Sequence, residues 1–220
     1  MEEIGNNPQF SITISKDQFV KLKADPRFVS IMRLARYINQ LAFCFASITS
    51  SQADTAIGQP RQAFNSMMYA SGTLFEALQA IQHLEKEFDH FSGWRELKSL
   101  LKDQDVVNLR DLFLNPTRQQ LAYHVDKEPI EKTIQWMDLK EIVFHLGSDG
   151  TLENTYYPLA DDIAFNFLAG NHPSDIAQAQ HFERYTERWS DIVVKFVKAA
   201  SNLLYQYALE QEFEIKERQL

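Results

Sequence analysis

The chain has 220 residues, 45% of them hydrophobic and 24% charged, proportions that fit a globular protein with a sizeable core and exclude a disordered chain. Its net charge of −8 argues against broad nonspecific nucleic-acid binding, which draws on basic surface, so an enzyme acting on RNA would need a local positive patch. The single cysteine, Cys44, excludes an internal disulfide framework and fits a reducing compartment.

Residues 1–14 read as an arm, because Phe10, Ile12 and Ile14 alternate with Ser11 and Thr13 as in an extended segment. The opening Met-Glu-Glu-Ile-Gly-Asn-Asn has no signal-peptide character, and no apolar run is long enough to span a membrane. A cytoplasmic location is expected. Lys16, Lys21, Lys23, Arg27, Arg33 and Arg36 outnumber Asp17 and Asp25 over 16–36. That segment is the best local positive patch, with an ordinary solvated helix face as the equal alternative.

Asp25-Pro26 opens a long helix over about 26–51, with Phe28, Ile31, Leu34, Leu41, Phe45 and Ile48 at helical spacing. Cys44 falls in that apolar pattern as a packing residue. Residues 50–60 read as a loop. A second long helix spans about 60–89, with Phe64, Met67, Leu74, Leu78, Ile81 and Phe88 on its stripe. His83 and His90 lack metal-ligand spacing and read as surface residues.

Ser92-Gly93 breaks the pattern, and shorter helices are expected near 94–102 and 104–113. Asn115 suits an N-cap and Pro116 the first helical position, so a new helix is expected to start there with Arg118 in its first turn. Another is expected near 127–139. β-Branched and aromatic residues flank Gly147-Ser148-Asp149-Gly150, which reads as a small hairpin over 141–158. A short helix containing Asp161 and Asp162 ends at Gly170, and a final helix runs over about 174–217 with a charged end that projects as a tail. The whole reads as a single all-α domain over 1–220, in which the three long helices pack in one bundle, with a small β-hairpin insertion.

The stretch from Asn115 to Asp126 carries the chemistry. Five residues separate Arg118 from His124. On a straight α-helix that spacing puts them roughly 120° apart around the axis and about 9 Å along it, so a site using both needs a bend, a long reach or a second copy of the chain. Histidine titrates near neutrality and can move a proton, while arginine offers a planar fork to phosphate oxygens. The pair therefore suits cleavage of RNA by its own 2′-hydroxyl. Gln119 and Tyr123 can orient the pair, Asp126 can hold His124, and Lys23, Arg33 and Arg36 can bind substrate. The plainer alternatives are a surface salt bridge from Arg118 to Asp111 and a helix-end pairing of His124 with Asp126. The chain contains no Gly-rich phosphate loop, zinc cysteine set, His-Glu-x-x-His or Gly-x-Ser-x-Gly. No metal and no cofactor is expected.

Arg118-Gln-Gln-Leu-Ala-Tyr-His124-Val-Asp126, in a late helix of an all-α chain, resembles the signature of the HEPN superfamily. Leu34-Ala-Arg-Tyr-Ile-Asn39 is similar to the first long helix of bacterial HEPN-like proteins. The resemblance implies a four- to five-helix up-and-down bundle that forms homodimers, with Arg and His of both subunits meeting at the interface. It also implies metal-independent ribonuclease activity of toxin or phage-defence type, and an antitoxin protein as partner. Gln119 stands where ribonuclease members usually carry Asn, Asp or His. The alternative is a non-catalytic HEPN-like module that binds protein or RNA.

Overall fold

Strand β1 (Gln9–Thr13) leads into a short helix, α1 (Lys16–Leu22), and then two long ones, α2 (Pro26–Thr49) and α3 (Gly58–Gln82). Shorter elements follow: α4 (Ser92–Leu100), α5 (Gln104–Leu109), a π turn (Arg110–Leu114), α6 (Asn115–Thr117), α7 (Lys127–Trp136) and α8 (Pro158–Leu168). The longest helix, α9 (Asp175–Glu210), precedes strand β2 (Glu214–Arg218). The computed structural model describes residues 9–49, 58–83, 88–119, 127–136, 158–168 and 175–218. The hairpin expected over 141–158 lies outside them.

The three long apolar stripes do build the core. Leu34 and Leu41 of α2, Leu74 and Leu78 of α3, and Phe196 and Leu203 of α9 are all fully buried. Burying a side chain of this size contributes roughly 1.5–3 kcal/mol. Phe45 stacks on Trp189, with ring centroids 5.4 Å apart, and so joins α2 to α9. Helix α4 lies against α9 at Gly93, where backbone meets backbone: a Cβ built there would stand 2.4 Å from Leu203 N and 2.8 Å from Ala199 O. Only glycine permits that approach. Polar side chains fasten the same crossing, with Gln206 Nε2 donating to Ser92 Oγ (2.7 Å) and Gly93 N donating to Gln206 Oε1 (3.1 Å).

Helix α1 is absent from the sequence reading, although its start carries a Ser-x-x-Gln capping box. Gln18 N donates to Ser15 Oγ (3.2 Å) and Ser15 N to Gln18 Oε1 (3.0 Å). Helix α3 stops at Gln82 rather than near 89. Phe88 lies in a separate turn and is still fully buried.

The last helix also ends early, at Glu210 instead of 217. Phe213 N donates to Ala208 O (2.9 Å) and Glu212 N to Leu209 O (3.1 Å), the two bonds of a Schellman cap. The residue that turns the chain is Glu212, with φ 54°. Phe213 then packs on Tyr207 at 6.1 Å between ring centroids, the apolar contact that accompanies such a cap. The expected tail is therefore a strand. β2 pairs antiparallel with β1 from Gln9 opposite Arg218 to Thr13 opposite Glu214. Gln18 Nε2 ties α1 to this corner by donating to Glu212 O (3.2 Å).

Candidate active site

Helix α6 begins at Asn115, but as a continuation of the winding before it and not as a new helix with Asn115 as its cap. Asp103 caps α5 by accepting from Asp105 N (2.8 Å), and the chain stays helically wound from Gln104 to Gln119. Pro116 sits inside this winding. A proline there has no N–H to donate, and in a regular α-helix its ring would collide with the carbonyl four residues back. The π turn just ahead of it widens the coil, and Asn115 N donates to Arg110 O, five residues back. Buried Val106, Leu109, Phe113, Leu114 and Thr117 keep one apolar stripe running through the proline. That burial overrides the local start signal. Within the winding, next to Arg118, Thr117 Oγ1 donates to Phe113 O (2.6 Å).

Arg118 is half-buried, with 32% of its side chain exposed, and Glu76 of α3 holds it. Its Nε donates to Glu76 Oε1 at 2.5 Å, and its guanidinium carbon lies 5.4 Å from the centroid of the Phe75 ring. The carboxylate expected for it, Asp111, is taken by Arg110 through Nε to Oδ1 (2.8 Å) and Nη2 to Oδ2 (3.3 Å). That bond holds the Asp111 carboxyl below its ordinary range and Arg110 above its own. Because Glu76 engages only Nε, both terminal nitrogens of Arg118 have no hydrogen-bond partner among the described residues. They form the edge of the fork that fits phosphate oxygens.

Glu76 and Phe75 are site residues that the sequence reading missed. Glu76 lies 42 positions before Arg118 in the chain, and no local signal joins them. Gln119 is exposed beside Arg118. His124, Tyr123 and Asp126 lie outside the described residues. Asn115 Oδ1 is buried with no hydrogen-bond partner among the described residues.

The cationic segment divides in two. Lys23 follows the end of α1, with its Nζ 5.4 Å from the centroid of the Phe19 ring. Arg27 is occupied, since its Nη1 donates to Glu210 Oε1 (2.8 Å) and its Nη2 lies 3.5 Å from Asp25 Oδ2. Arg33 and Arg36 project exposed from the outer face of α2, and neither forms an ion pair with a described carboxylate. His83 and His90 are both exposed, and His90 Nε2 lies 2.6 Å from Glu210 Oε2. Among the described residues, no group of three or more His, Cys, Asp or Glu side chains is placed to hold a metal ion. Nor is any described helix long and apolar enough to cross a membrane.

No family model, curated protein or solved structure matches this chain.

Proposed function

We propose that this chain is a HEPN-like, metal-independent ribonuclease. The observation that carries the proposal is the state of Arg118, fixed at Nε by Glu76 and flanked by Phe75, with neither terminal nitrogen engaged among the described residues. A guanidinium held this way is oriented before substrate arrives, which is what stabilising charge in a transition state requires. The 2′-oxygen of the RNA attacks the adjacent phosphorus, the bond to the 5′-oxygen breaks, and a cyclic phosphate and a 5′-hydroxyl result. Arg118 stabilises the charge that builds on the phosphate oxygens. His124 takes the proton from the nucleophile or delivers one to the leaving oxygen. Gln119 and Tyr123 orient the pair, and Asp126 holds His124. In a homodimer with the two Arg118 segments near the two-fold axis, the arginine of one copy works with the histidine of the other. The biological setting is of toxin or phage-defence type, with an antitoxin protein as partner.

One observation favours the alternative of a non-catalytic interaction module: the Glu76 carboxylate offsets part of the Arg118 charge. Incubating folded protein with RNA in excess chelator separates the two readings. Cleavage that His124→Ala slows by about 10²-fold or more supports the ribonuclease. No cleavage of varied RNAs by wild type favours the module.

A further inference from the structure

The outer face where α2 meets α3 carries two exposed aromatic rings in one cleft. Phe43 is 73% exposed and Tyr69 is 56% exposed. The cleft between them, about 590 Å³, is also lined by Arg36, Asn39, Gln40 and Asn65. A phenylalanine left this open loses the stabilisation of burial, and here it stands beside a second ring and a set of hydrogen-bonding amides. Arg36 lies seven residues before Phe43, on nearly the same face of α2 and about 10 Å away along the axis. Tyr69 stands in the same relation to Glu76, the residue that holds Arg118. The aromatic cleft and the Arg118 anchor therefore share one face of α3, two helical turns apart.

We infer that this cleft binds the unpaired bases of a single-stranded RNA whose backbone runs on to Arg118. The inference deepens the ribonuclease reading and rests on it for the nature of the ligand. Rings of Phe43 and Tyr69 stack on bases, a contact open to any base with a free face. Asn39 and Gln40 offer donors and acceptors to base edges, and Arg36 and Arg33 take phosphates. Duplex RNA is excluded, because its base faces are already stacked and only its grooves and backbone are presented. Charge also selects against a second copy of this chain. A two-fold contact on this face would set Arg33 and Arg36 against their own copies. Asp161 brings a carboxylate to the rim, where it accepts from Asn65 Nδ2 at 3.4 Å. A polyanion meets Arg33 and Arg36 without that conflict.

Binding of a fully 2′-O-methylated, mixed-sequence RNA of about 12 nucleotides tests this, since the oligomer has no attacking hydroxyl and cannot be cut. Wild type should bind the single strand more tightly than a duplex of the same length. Phe43→Ala and Tyr69→Ala should each weaken binding by roughly tenfold. Arg36→Gln should lower the slope of log affinity against log salt by about one phosphate contact. Both rings are exposed, so these variants should melt with wild type. Equal binding of duplex, or binding unchanged in the double alanine variant, would overturn the inference. So would a change in particle mass by light scattering in place of a change in RNA affinity, because the face would then join copies of the chain. Cleavage of ordinary RNA in chelator keeps the two claims apart. A protein that cuts but ignores Phe43 and Tyr69 refutes the cleft alone. One that binds through both rings and never cuts refutes the ribonuclease alone.

Discussion

Gly93→Ala is a one-carbon change whose sign decides whether the α4–α9 crossing is as close as described. In an ordinary helix position alanine is better than glycine by roughly 0.5–1 kcal/mol. Here the new methyl would meet Leu203 N at 2.4 Å, and Ala199 O and Leu203 Cα at 2.8 Å. Unstrained contacts between carbon atoms lie at roughly 3.5–4.0 Å, so the two helices must part by about 1 Å. All three atoms are backbone, and no rotamer change relieves them. Overpacking a tight site costs about 1–3 kcal/mol, and a backbone clash belongs at the upper end. Subtracting the helix-propensity gain leaves a net loss of about 2 kcal/mol. For a chain of this size that lowers Tm by roughly 4–8 °C in a calorimetric scan. Trimming the facing side chain with Ala199→Gly should not rescue the variant, because the carbonyl and not the methyl of residue 199 is in the way. A Gly93→Ala protein that melts at or above wild type would refute the reasoning.

Glu76→Gln removes the charge that fixes Arg118, and on the proposed function kcat for RNA cleavage should fall by roughly tenfold to a hundredfold while Tm, read by circular dichroism, changes little. Glu212→Gly relieves a left-handed backbone at a non-glycine residue and should raise stability to denaturant by about 0.5–1 kcal/mol. Burial opposes the charge on Glu210, yet bonds from His90 and Arg27 hold its carboxyl below the ordinary value of 4.5. The unfolded chain therefore takes up that proton first as acid is added, so the stability Glu210 contributes is whole above pH 4.5 and is lost as pH falls through the lower folded value. Denaturation curves of wild type and Glu210→Gln should accordingly differ at neutral pH and converge in acid.

Burial periodicity made α2, α3 and α9 readable, because stripes such as Trp189, Ile192, Val193, Phe196 and Leu203 repeat for many turns and the structure buries them. Their ends were less readable. A helix stop is announced by glycine at the left-handed cap, and α9 uses Glu212 there, so nothing in the composition marks the boundary. Alternation of Phe213 and Ile215 with charged residues is the one trace of β2. At Asn115-Pro116 the local start signal does coincide with the first residue of α6, but it marks no break in the chain's winding, since Phe113, Leu114 and Thr117 bury on the same stripe as Val106 and Leu109. Of the site, Arg118 was legible as a residue type in context. Its holder was not, because Glu76 meets it only through the packing of α3 against α6.

The sheet that joins the chain's first and last described strands has a mechanical consequence. Gln9 faces Arg218, so both outward ends leave the ladder at the same edge. Tension applied to the two termini pulls across the strands, along the hydrogen bonds, and loads one pair at a time. The ladder would peel from Gln9 and Arg218 inward to Thr13 and Glu214 like a zip, and would not resist as a shear clamp does. Force drawn through the termini thus reaches α1 and the end of α9 only after the sheet has opened. The two strands act as a weak latch in series with the helical core.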